Sequence, residues 1–140
     1  MPTEENKAVS RRYFELLDGR KGDMLSFADE LLDPGMLSHF PGAAEPNDLP
    51  TQSGLGGVFW GAFPDLTHTV DFMVAEGECV SIRLTLNGTH AGEFMGVPAS
   101  GNPLTLTANG IQRVVDGKIT EQWVEFDSMS LMAQIGAMPS

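Results

Sequence analysis

The chain has one cysteine, Cys79, among its 140 residues. A single thiol excludes an intramolecular disulfide and any metal site built on paired cysteines. In a strand-like segment it reads as a small core residue rather than a nucleophile. Positive charge is also scarce: 8 Lys and Arg stand against 19 Asp and Glu, a formal net charge of −11. Most of the basic residues (Lys7, Arg11, Arg12, Arg20, Lys21) crowd the N-terminus. Phosphate binding needs clustered basic side chains, so this distribution argues against nucleic acid and anionic membranes as partners. The acidity is read as a solubility feature. No apolar run nears the roughly 20 residues of a membrane span. The start, Met-Pro-Thr-Glu-Glu, lacks the basic and then apolar pattern of a signal peptide. These absences lead to the expectation of a soluble cytoplasmic protein.

General catalytic motifs are missing too. There is no GxSxG elbow, P-loop or HExxH. Gly54-Leu-Gly-Gly57 is too short for a dinucleotide fingerprint and follows no strand. His39, His68 and His90 are scattered without ligand spacing. Neither a metal nor another cofactor is expected.

What is present is a chain of one domain, residues 1–140, with 41% apolar residues and enough length for a substantial core. Its first third reads helical. Thr3 can cap a helix with Glu4 and Glu5 in its first turn and Val9, Tyr13, Leu16 and Leu17 on one stripe, stopped at Gly19. Asp23 can cap a second helix that turns Met24, Phe27, Ala28 and Leu31 inward and ends at Pro34-Gly35. A third runs from about Thr51 to Ala62 with Leu55, Phe59 and Phe63 in register. Its four glycines weaken it, so only packing could hold it.

The second half reads as an antiparallel meander: Leu66–Glu76, Glu78–His90, Leu104–Val115 and Lys118–Asp127. Asp116-Gly117 is a two-residue hairpin turn, and Gly77 marks another. Asn87-Gly88 and Asn109-Gly110 lie inside strand patterns and read as bulges or bends that curl the sheet. Helices followed by a curled antiparallel sheet make an α+β fold with a pocket between the two layers.

The chemistry on offer is acid/base work in an apolar pocket. Trp123 and Asp127 lie four residues apart, so an unbroken strand puts both on one face. Asp127 is then either a general acid/base beside an aromatic or the N-cap of a helix over Ser128–Ile135. His90 is a hydrogen-bonded pocket residue or a proton relay. Tyr13 can point its hydroxyl inward, His39 reads as structural or ligand-facing, and Phe59, Trp60 and Phe63 as core or pocket wall.

From Ala62 onward the chain resembles the SnoaL-like polyketide cyclases (ester cyclases) of the nuclear transport factor 2-like superfamily. The pieces are Phe63-Pro-Asp-Leu66, Gly88-Thr-His-Ala-Gly92 with Glu93-Phe94, Gly96-Val-Pro98, Ile111-Gln-Arg113, Asp116-Gly-Lys-Ile119, Trp123 with Asp127, and Leu131–Gly136. The resemblance implies a cone-shaped curved sheet packed on N-terminal helices around a pocket, usually in a homodimer. It implies ring closure of a carbonyl-rich, polyketide-like substrate by an intramolecular aldol reaction, without metal or redox cofactor. Asp127 would be the acid/base and His90 its companion; Gln112 would polarise the substrate. Trp123, His39, Tyr13, Phe59, Trp60 and Phe63 would bind it. Many relatives have histidine where this chain has Gln112, which donates a hydrogen bond but transfers no proton at neutral pH. The same fold also carries isomerases, hydrolases and non-catalytic ligand-binding or dimerisation modules.

Overall fold

Strict alternation in the second half produces a sheet with one buried face. Val80, Ile82, Leu84 and Leu86 point inward from one strand, and Leu104, Leu106, Ala108 and Val114 from the next. The computed structural model describes residues 2–138. It orders the chain as α1 (Pro2–Gly19), a 3-10 turn (Met24–Phe27), α2 (Ala28–Leu31), β1 (Leu32–His39), α3 (Leu49–Ala62), β2 (Thr67–Glu76), β3 (Cys79–Thr89), β4 (Pro103–Val115), β5 (Lys118–Phe126) and α4 (Ser128–Gln134). The five strands form one sheet in the order β1-β5-β4-β3-β2. β2 to β5 run antiparallel, as the meander reading expects. At the Asp116-Gly117 turn both residues adopt positive φ, the geometry of a tight hairpin.

Two expectations are corrected in the first third. The second helix is only a 3-10 turn and a single α turn, and Asp23 makes no side-chain cap. The Met24 amide donates instead to Ser53 Oγ on α3, at 3.1 Å. Beyond it Pro34-Gly35 stops no helix but lies inside β1, which pairs parallel with β5. Proline lacks an N–H, yet an edge strand tolerates it at an irregularity. The register shift between Leu32 and Leu37 is that irregularity. Met36 and Ser38 then face the core.

The expected bulges at Asn87-Gly88 and Asn109-Gly110 are absent. β3 and β4 pair without a register shift from Cys79↔Arg113 to Thr89↔Pro103. Gly88 is small because Phe63 and Leu66 pass over it; a Cβ there would sit 3.4 Å from Phe63 Cβ. The shifts fall elsewhere, between Val70 and Phe72 on β2 and, with more consequence, between Ile119 and Glu121 on β5.

α1 packs against β2 and α3 against β1 and the 3-10 turn. α3 begins where Asp48 accepts from the Thr51 amide at 2.9 Å, with proline in the first turn. Hydrogen bonding with Thr51 lowers the Asp48 carboxyl below its ordinary value. Its glycines have a packing reason: a Cβ on Gly56 would lie 2.4 Å from the Gly22 carbonyl oxygen. The backbones meet there, which holds a helix of poor intrinsic propensity against the layer below.

Candidate active site

The sheet's inward face and the two long helices enclose a chamber of about 770 Å³, its open mouth included. Its walls are apolar: Phe14 and Leu17 from α1, Phe59 and Trp60 from α3, Leu84 and Leu86 from β3. Space exists because β4 presents Ala108 and then Gly110 where its neighbour presents Leu84 and Ile82. A second hollow adjoins it, sharing Phe40, Phe59 and Phe126 with the chamber and adding Phe94 to its rim.

Gln52 and His68 line the chamber from the helical side and from β2, and a connected polar cluster enters it from the sheet. Gln112 and Gln122 are opposite each other on β4 and β5, and both are almost fully buried. Gln112 Nε2 donates to Gln122 Oε1 at 3.0 Å. Gln122 Nε2 donates to Ser38 Oγ at 3.0 Å and to the Tyr13 hydroxyl at 3.4 Å. Tyr13 OH in turn donates to Met24 Sδ at 3.7 Å. Burial pushes the Tyr13 hydroxyl up to about 12, and the Gln122 contact offsets only part of that rise. It stays a neutral donor across the physiological range. At the other end of this chain Gln112 Oε1 has no partner. Turning both amides over reverses every bond, so that Tyr13 and Ser38 donate to Gln122, Gln122 to Gln112, and Gln112 offers an N–H.

The juxtaposition depends on the β5 bulge. An unbroken hairpin from Val115↔Lys118 would set Gln112 against Glu121. The extra residue Thr120 brings Gln122 there instead and turns Glu121 to the outer face. The chamber therefore receives an amide in place of a carboxylate.

Of the residues expected from sequence, Gln112, Tyr13, Phe59, Trp60 and Trp123 line the chamber. Trp123 belongs mainly to the outer face: it stacks on His39 at 5.2 Å, with the Arg113 guanidinium 5.4 Å from its ring. His39 lies outside the chamber, bonded to Glu121 at 2.6 Å. Phe63 is sealed in the core against His90 and Phe94. His90 is fully buried, its Nδ1 accepting from the Ser100 amide at 3.1 Å, so it pins the loop between β3 and β4. Asp127 is exposed; its carboxylate accepts from the Ser130 amide at 3.0 Å and caps α4. The shared face of Trp123 and Asp127 ends with the strand, at Phe126. Both expected catalytic residues thus stand outside the chamber.

Sequence reasoning missed Gln122, Ser38 and His68 as lining or supporting groups. Gln122 would have been legible only with the bulge in hand, and Ser38 only with β1. From sequence His68 reads only as one of three histidines without metal-ligand spacing. Among the described residues no three His, Cys, Asp or Glu converge.

An α+β fold whose N-terminal helices close an apolar chamber on a curved five-stranded sheet is shared with solved SnoaL-like structures. The SnoaL-like polyketide cyclase family profile matches residues 7–135, and the chain belongs to that family. Aklanonic acid methyl ester cyclase DnrD of Streptomyces peucetius is 30% identical over 122 residues, covering 84% of this chain and 81% of that protein. Among solved structures, IdmH of Streptomyces antibioticus, a candidate polyketide cyclase, is 32% identical with TM-score 0.82 over 94% of this chain and 98% of its own. AclR of Streptomyces galilaeus, a candidate hydroxylase, is 26% identical with TM-score 0.85 over 98% and 99%. No described helix is long and apolar enough to cross a membrane.

Proposed function

We propose that the chamber binds a flat, carbonyl-rich polyketide and closes a ring on it by cofactor-free aldol chemistry. One observation carries this reading: Gln112 is buried in the floor of an apolar chamber with one amide atom unmatched. An unmatched buried polar atom costs about 1–3 kcal/mol, which a ligand's enol or carbonyl recovers once it displaces the side chains that cover the atom in the free protein. Because the amide chain can reverse, Gln112 accepts from an enol or donates to the carbonyl and enolate that interconvert with it. Donation to the enolate oxygen stabilises charge as it develops. The DnrD relative, named for aklanonic acid methyl ester, supports a substrate of that class.

The test is incubation of the purified protein with aklanonic acid methyl ester, followed by chromatography for a ring-closed isomer of unchanged mass. Gln112→Leu should lower turnover 10- to 100-fold with the fold intact. A chamber that neither binds nor converts this ester or related polyketides overturns the reading. Binding without conversion favours a non-catalytic ligand-binding module, a reading supported by the absence of any carboxylate from the chamber lining.

Homodimer assembly and a cytoplasmic location belong to the same proposal. The outer sheet face carries exposed Leu37, Phe72, Val74 and Ile111, a surface suited to a second copy. Sedimentation at micromolar concentration should read twice the chain mass.

A further inference from the structure

We infer that His68, held by Asp18, is the group that takes and returns the proton in the chamber, an inference that rests on the cyclase reading above. His68 lies near the start of β2 and lines the chamber. Its ring stands between two other lining residues, Phe14 at 5.4 Å and Trp60 at 5.8 Å. Asp18, in the last turn of α1, holds it with both carboxylate oxygens. Oδ1 is 2.7 Å from His68 Nδ1, and Oδ2 accepts from the His68 backbone amide at 2.8 Å. A carboxylate accepts and does not donate, so Nδ1 carries the hydrogen, and in the neutral ring Nε2 keeps its lone pair. Nε2 has no protein hydrogen-bond partner and retains some exposed surface.

Elimination reaches the same residue. Among the described residues, only two lining side chains are of an ionisable type, Tyr13 and His68. Tyr13 is held protonated to about 12 and cannot serve as a base. The charged group bonded to His68 is Asp18; α3, packed over the ring through Trp60, contains no charged residue. The side chain of His68 is 9% exposed and that of Asp18 21%, so the pair is turned inward through the imidazole.

The step balances without an oxidant. Nε2 removes a proton from a carbon flanked by carbonyls, and the C–H electron pair passes into the enolate. The enolate carbon attacks a second carbonyl carbon, forming the C–C bond while the C=O π pair moves to oxygen. The Nε2–H then returns the proton to that alkoxide, so substrate and product are isomers. Asp18 takes no part in the bond changes. It fixes the ring's orientation and tautomer and is a positioning residue.

The experiment compares wild type, His68→Gln, His68→Gly and Asp18→Asn on aklanonic acid methyl ester, with ester binding followed separately by tryptophan fluorescence. His68→Gln should lose at least about 100-fold in kcat with ester binding within about threefold of wild type, since general-base catalysis is worth roughly 10²–10⁴. Added imidazole should restore part of the turnover of His68→Gly, which a purely structural role would not allow. Asp18→Asn should lower kcat more than it raises KM. A wild type that converts the ester beside a His68→Gln of equal kcat overturns this inference and leaves the cyclase reading standing. Wild type that binds the ester without converting it overturns both.

Discussion

Gln112 and Gln122 face each other across the β4–β5 ladder, joined by one amide hydrogen bond of 3.0 Å at the floor of the chamber. The pair stands at the end of a polar chain running through Tyr13 and Ser38, and its free end is the only buried amide atom left for a ligand among the described residues. Gln112→Leu removes that end and strands Gln122 Oε1. The free protein should change by about 1 kcal/mol or less, because one unmatched buried acceptor replaces another. Ligand affinity should fall about 10- to 100-fold. Urea unfolding and a fluorescence titration separate the two effects; an equal loss in both would make the pair structural only.

Tyr13 is the only tyrosine, so absorbance near 295 nm reports a single hydroxyl. Its folded value of about 12 lies above the ordinary 10.0. The folded state therefore binds this proton more tightly than the unfolded chain. The stability it contributes is complete below pH 10 and is lost as pH rises from 10 to about 12. Tyrosinate should appear together with unfolding rather than before it. Tyr13→Phe should unfold over a wider alkaline range, as read by circular dichroism. Free titration of the folded protein near pH 10 would contradict the burial.

Asp127 separates a cap from a catalyst. Asn accepts the Ser130 amide as Asp does, while Ala cannot. Asp127→Ala should cost about 1 kcal/mol, a melting shift of roughly 4 °C for a chain of this size. Asp127→Asn should melt near wild type and turn over at the wild-type rate. A large loss of kcat in Asp127→Asn, with melting unchanged, would return the acid/base role to this carboxylate.

The gap between sequence and structure around Asp127 has a definite physical origin. Strand alternation reads from Ile119 through Trp123 to Asp127 as one face, and Ile119 is indeed fully buried. One extra residue, Thr120, reverses the parity beyond it, so Gln122, Val124 and Phe126 take the inward face. Nothing in Thr-Glu-Gln announces a bulge. The hairpin at Asp116-Gly117 and the inward row of β3 were legible because glycine chemistry and alternation are local. β1 was not: its pairing with β5 spans most of the chain, and Pro34-Gly35 carries the local signal of a stop. His68 and Asp18 are 50 residues apart, so only the packing of α1 on β2 brings them together.

Gly110 tests whether the chamber itself is functional space. It faces the interior between Ala108 and Gln112, opposite Ile82 on β3. A Cβ added there would meet only the Trp123 carbonyl oxygen, at 3.5 Å, an ordinary contact. Its backbone is not in the left-handed region, so a larger residue brings no conformational strain. Glycine in a strand interior is also intrinsically unfavourable. Gly110→Ala should therefore be neutral or stabilising by a few tenths of a kcal/mol, with weaker binding of bulky ligands. Gly110→Leu should fill the space beside Gln112, keep a cooperative thermal transition, and abolish binding of the aklanonic ester. Retained affinity in Gly110→Leu would show that the ligand sits elsewhere, most directly in the adjoining hollow rimmed by Phe40, Phe94 and Phe126.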